Sequence, residues 1–145
     1  MFGQGRPASP IVAVADARSE PVLLVSMRRD LRLCLRDGLT AAGFIVDAQA
    51  SGVGGLSALR EAQPPYGWLV CDLVMHGMID GGRLAYEYRF QRPQRRALLL
   101  CKAMQGPPPP EGEYVEPEPG AVAAAIARMA SEETGLDGVL KLCFR

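Results

Sequence analysis

Between residues 21 and 101, short apolar runs of strand length alternate strictly with segments of helical period. The runs are Val22–Val25, Phe44–Ala48, Trp68–Val70 and Ala97–Cys101, most of them bulky, continuous and too short for a helix. Between them the period changes. Leu31, Cys34, Leu35, Leu39 and Ala42 recur at helical spacing from Arg28 onward, and Gly43 supplies the stop. Residues Gly54–Gln63 form a second helical segment with Leu56 and Leu59 inward, ended by Pro64 and Pro65. A third, Arg83–Gln91, turns Leu84, Ala85 and Tyr88 to one side and stops before Pro93. Such alternation predicts a parallel sheet covered by helices on both faces, with right-handed crossovers.

The alternation then breaks. Gln105–Gly112 contains four consecutive prolines, Pro107–Pro110, which favour an extended, polyproline-like path. A fifth strand, Glu113–Val115, therefore follows the fourth with a loop where a crossover helix is usual. A last helix begins after Pro119 and Gly120, with Val122, Ile126 and Met129 inward and Ala124 and Ala127 outward. The chain divides into a loose arm over 1–20, a domain over 21–130 and a tail over 131–145. Ile11–Val14 in the arm reads as an edge strand, and Val139–Leu142 in the tail is apolar enough to dock.

One domain is what 145 residues accommodate, with a sizeable core. Sixteen basic residues balance sixteen acidic ones, so no net charge draws the protein to nucleic acid or anionic lipid. Cys34, Cys71, Cys101 and Cys143 show no metal-ligand spacing, and most lie in apolar runs. Buried, reduced thiols in a reducing cytosol are the expectation, hence a cytoplasmic location. No apolar run reaches the length of a membrane span, and residues 1–10 lack a signal-peptide core.

Asp72 is the residue to which chemistry points. It ends the third strand, and ligands in open α/β sheets gather beyond the carboxyl ends of strands. Arg28, Arg32 and Arg36 lie four apart on one helix face, an arrangement suited to phosphates but expected here as a solvated face. The single histidine, His76, is expected in an exposed loop.

Asp72-Leu73-Val74-Met75-His76-Gly77-Met78 resembles the phosphoacceptor loop of response-regulator receiver domains, and Asp80-Gly81 resembles the pair that closes it. Val22–Val25 followed by Leu31 is similar to the family's first strand and helix. Tyr114-Val115-Glu116-Pro117 is similar to its aromatic and apolar segment before Lys-Pro. The resemblance covers about 21–130. It implies a flavodoxin-like, doubly wound, five-stranded parallel sheet in the order 2-1-3-4-5. The family's fourth helix, between strands four and five, is replaced by the Pro-rich loop.

Departures from the family pattern qualify what the resemblance implies. Two acids that would hold Mg²⁺ with Asp72 correspond to Ser26 and Met27, a hydroxyl and a thioether where a hard cation needs carboxylates. The family's Ser or Thr corresponds to Cys101, a poor donor, and its Lys to Glu116, which inverts the charge. Asp30, one helical turn on, is accounted for by the helix dipole. The expectation is a degenerate receiver with weak or no Mg²⁺ binding, no enzymatic activity and no cofactor. It would act as a phosphorylation-independent interaction module in bacterial two-component signalling, bound to a histidine kinase, another regulator or its own copy. The expected interface is Tyr114, Ala124 and Ala127, beside a sheet face left open by the missing helix. The alternative is a phosphoaccepting Asp72 whose metal ligands or charge come from a partner. A redox switch through Cys71 or Cys101 ranks behind both.

Overall fold

The computed structural model describes residues 17–102 and 106–133. Its elements in chain order are β1 (Val22–Val25), α1 (Arg29–Ala41), β2 (Val46–Gln49), α2 (Gly52–Glu61), β3 (Trp68–Asp72), α3 (Gly81–Gln91), β4 (Ala97–Leu100), β5 (Gly112–Val115) and α4 (Pro119–Glu132). All five strands are parallel and lie in the order β2-β1-β3-β4-β5, as expected. Successive side chains of a strand point to opposite faces, so each apolar run feeds two cores. Val22, Leu24, Trp68, Val70, Leu98 and Leu100 pack under α1 and α4 through Leu35, Leu39, Val122 and Ile126. Leu23, Val25, Leu69, Cys71 and Leu99 pack under α2 and α3 through Leu59, Leu84, Ala85 and Tyr88. Burial on both faces is why the strands carry no polar alternation.

Helix starts are set by local chemistry. The Ser51 side chain accepts from the Gly54 amide and Asp80 from the Arg83 amide, which starts α2 and α3 two residues before the expected positions. Glu118 accepts from the Gly120 and Ala121 amides with Pro119 at the first helical position, an arrangement suited to a helix start. β2 is shifted from Phe44–Ala48 to Val46–Gln49: Phe44 is buried before the strand begins, and Ile45 is 61% exposed. Cys34, expected inward, is exposed, because Leu35 and Leu39 form the buried stripe of α1.

Three further expectations are corrected. The arm is not loose throughout: Ala17 is buried, the Trp68 indole donates to its carbonyl at 3.0 Å, and Glu20 pairs with Arg95 at 2.8 Å. Residues 131 and 132 continue α4, and Glu133 accepts from Arg95 at 2.7 Å. Ile11–Val14 and Val139–Leu142 lie outside the described residues. Most consequential is the sheet face beside β4 and β5. Among the described residues no helix lies between these strands, yet the face is closed. Leu99, 0% exposed, spreads over Gly112, where any Cβ would collide with its side chain. Tyr114 is half-buried beside it and donates its hydroxyl to the Pro107 carbonyl at 3.3 Å. A small residue in β5 and an extended proline segment together do the covering helix's work.

Among the described residues no helix is long and apolar enough to cross a membrane. The large exposed apolar side chains lie elsewhere than β4 and β5. They include Val74 and Met78 in the loop after β3, and Tyr86 and Phe90 on α3, where Arg89 stacks on both rings.

Candidate functional site

Strand register builds the site. Val25 of β1 pairs with Cys71 of β3, so Ser26, the next residue, is set beside Asp72, while Asp72 itself pairs with Leu100 of β4. Gly81 lets α3 begin against this strand end; a Cβ there would collide with the Asp72 carbonyl oxygen. Gly81→Ala is accordingly expected to cost about 2 kcal/mol or more, because the clash is with backbone. Chemical denaturation checks this.

The Asp72 carboxylate is 3% exposed, and a buried charge needs partners. It has three. Ser26, 0% exposed, donates its hydroxyl to Oδ2 at 2.8 Å, and the Met27 amide donates to the same oxygen at 3.1 Å. On Oδ1, the Arg28 guanidinium donates through Nη2 at 3.1 Å. One turn further, Arg32 donates through Nη1 to the Ser26 carbonyl at 2.9 Å. The expected solvated arginine face holds in part: the Arg28 side chain is 55% exposed and that of Arg36 45%. Arg28 and Arg32 reach back over the strand ends, while Arg36 pairs with its neighbour Asp37. Met27 acts through its backbone, and its side chain stands partly exposed.

The remaining predicted residues lie around this centre. Cys101 and Glu116 line a cleft of about 100 Å³ with Lys102, Tyr114 and Val115. The Glu116 side chain is exposed. Asp30 and His76 are exposed, and so is Ala124, whereas Ala127 is half-buried. Trp68 lies at the opposite end of β3, roughly 13 Å from Asp72 at strand spacing.

The donor set does not fit a divalent cation. Among the described residues Asp72 is the only carboxylate at the centre, Ser26 is neutral, and a guanidinium already lies on Oδ1. No group of three or more His, Cys, Asp or Glu among the described residues is placed to hold a metal. Cys71 is fully buried, and that burial, then the charges of Asp72 and Asp80, push its thiol well above the usual range. A thiol buried this deeply and held protonated reacts slowly, which argues against a redox role for Cys71. A thiol reagent at mildly alkaline pH is expected to modify exposed Cys34 rapidly and Cys71 only on unfolding, as peptide mass mapping would show.

No protein-family model matches the sequence, and no curated protein matches it. Solved structures do. A response regulator receiver protein from Sinorhizobium medicae superposes with a TM-score of 0.68 at 21% identity, over 77% of this chain and 94% of that one. The fold is that of a response-regulator receiver domain. A receiver domain protein from Clostridium thermocellum gives 0.66 at 14% identity, over 81% of this chain and 98% of that one. The response regulator TrrA, solved in complex with the histidine kinase ThkA, gives 0.62 at 19% identity, over 76% and 97%. In this receiver fold Asp72 ends the third strand, as the sequence predicts, and Ser26 and Met27 follow the first. Sequence reasoning missed Arg28. The available signal was a basic residue three positions beyond a strand end, facing a lone carboxylate without metal partners.

Proposed function

We propose that the chain is an atypical receiver acting as a phosphorylation-independent protein-interaction module in bacterial two-component signalling. The observation that carries this reading is that both Asp72 oxygens are already bonded to donors of the chain itself. Phosphoryl transfer depends on positioning and charge neutralisation around the acceptor, and a carboxylate held by a hydroxyl, an amide and a guanidinium is poorly placed to attack. A protein partner is favoured by the receiver fold, since the similar TrrA was solved with a histidine kinase. Another regulator or a second copy is the other class of partner. Membrane and nucleic-acid partners are not proposed, and the location is cytoplasmic.

For the surface, the small residues Ala124 and Ala127 on α4, with Tyr114 at its edge, are the proposed contact. Ala124 is exposed and leaves room for close helix approach. Sedimentation at tens of micromolar tests the self-association form of this surface. Association that is lost in Ala124→Arg and unchanged by acetyl phosphate supports it. A monomer throughout, with Ala124→Arg altering no partner binding, contradicts it.

A further inference from the structure

Because Ser26 and the Met27 amide are neutral donors, one group alone among the described residues brings positive charge directly onto the Asp72 carboxylate: Arg28. We propose that the Arg28 guanidinium is the built-in counter-cation of Asp72, occupying the place where a divalent ion would otherwise neutralise it. The chain is arranged to deliver it there. Arg28 is the residue immediately before α1, its own amide donates to the Ser26 hydroxyl at 3.3 Å, and no side-chain cap competes for that turn. Arg32 fixes the bend by donating to the Ser26 carbonyl, and it sets a second positive charge within one helical turn. One carboxylate bonded by a guanidinium, with a second guanidinium on the adjacent Ser26 carbonyl, leaves little negative charge to draw a divalent cation.

A tethered cation does not exchange with solvent as a metal ion would, so Arg28 stays at hand for Asp72 although its side chain is 55% exposed. Arg28 is a positioning residue here; it holds Asp72 rather than reacting with anything. The inference deepens the reading above and rests on it only in taking Asp72 as neutralised within the chain. Its test involves no phosphoryl transfer, so the two can fail separately.

Mg²⁺ titration by calorimetry on Ser26→Asp and on Ser26→Asp/Arg28→Ala, each with native circular dichroism, decides it. Ser26→Asp supplies a second carboxylate in both, so the pair differ only in Arg28. Removing the tethered cation is expected to tighten Mg²⁺ binding at least about tenfold. Equal affinity in the two variants, or no binding by either, overturns the proposal. A melting cycle on single substitutions keeps the question open to refutation if the double variant fails to fold. Arg28→Ala is expected to lower Tm by about 3–6 °C, and by less than half as much in the Asp72→Asn background. Equal losses in both backgrounds would mean that Arg28 does not act through Asp72.

Discussion

Leu99→Ala is expected to cost about 3–4 kcal/mol and to lower Tm on the order of 10 °C. Leu99 is fully buried in β4, and its side chain covers Gly112 where the fold lacks a helix between β4 and β5. Truncating it removes the transfer energy of the side chain and leaves a cavity that Gly112 cannot fill. The open edge would also bind a hydrophobic dye, a second readout of the same closure. Were this face solvent-exposed, as the missing helix alone suggests, Leu99 would be partly hydrated and its truncation would cost under about 1 kcal/mol. Denaturant unfolding with an unchanged m value separates the two cases.

Arg95→Ala is expected to cost about 3 kcal/mol, the second large effect. Its guanidinium, largely buried, bonds Glu133 at 2.7 Å and Glu20 at 2.8 Å, donates to the Gly67 carbonyl at 2.8 Å, and stacks on Trp68 at 3.9 Å. One side chain thus ties the residues before β1 to the end of α4 across the amino ends of the strands. Removing it takes the cation from the partly buried Glu133 carboxylate and leaves Glu20 to Arg92, 3.5 Å away. Arg95→Lys should recover little, since an ammonium cannot serve two carboxylates, a carbonyl and a ring face together. Thermal melts of both variants check the size, and a rise in hydrogen exchange at 17–20 checks the location.

Most of the fold is legible because strands buried on both faces leave a simple trace: Val22–Val25 and Ala97–Leu100 are continuous apolar runs, and the helices between them show plain periodicity. Asp72 at the end of β3 was legible for the same reason. Arg28 was not. Its role depends on the register that pairs Val25 with Cys71, and on the reach of a long side chain, neither of which helical spacing reports. The closed face beside β5 was hidden likewise, since Leu99 filling the space over Gly112 is a contact between strands thirteen positions apart. Cys34 shows the opposite error: a helical period taken one residue too wide placed an exposed thiol in the core.

The central claim is that Asp72 is neutralised by its own chain and takes no phosphoryl group. The most direct measurement is intact-mass analysis of the protein incubated with Mg²⁺ and acetyl phosphate, with Asp72→Ala in parallel. Trp68 fluorescence is unsuited to this, because the indole is bonded to Ala17 at the far end of β3. No phosphoryl adduct on the wild-type chain is the predicted result. An adduct on the wild-type chain that Asp72→Ala abolishes would contradict the account, since Arg28 would then have to leave Oδ1 without any partner to draw it away.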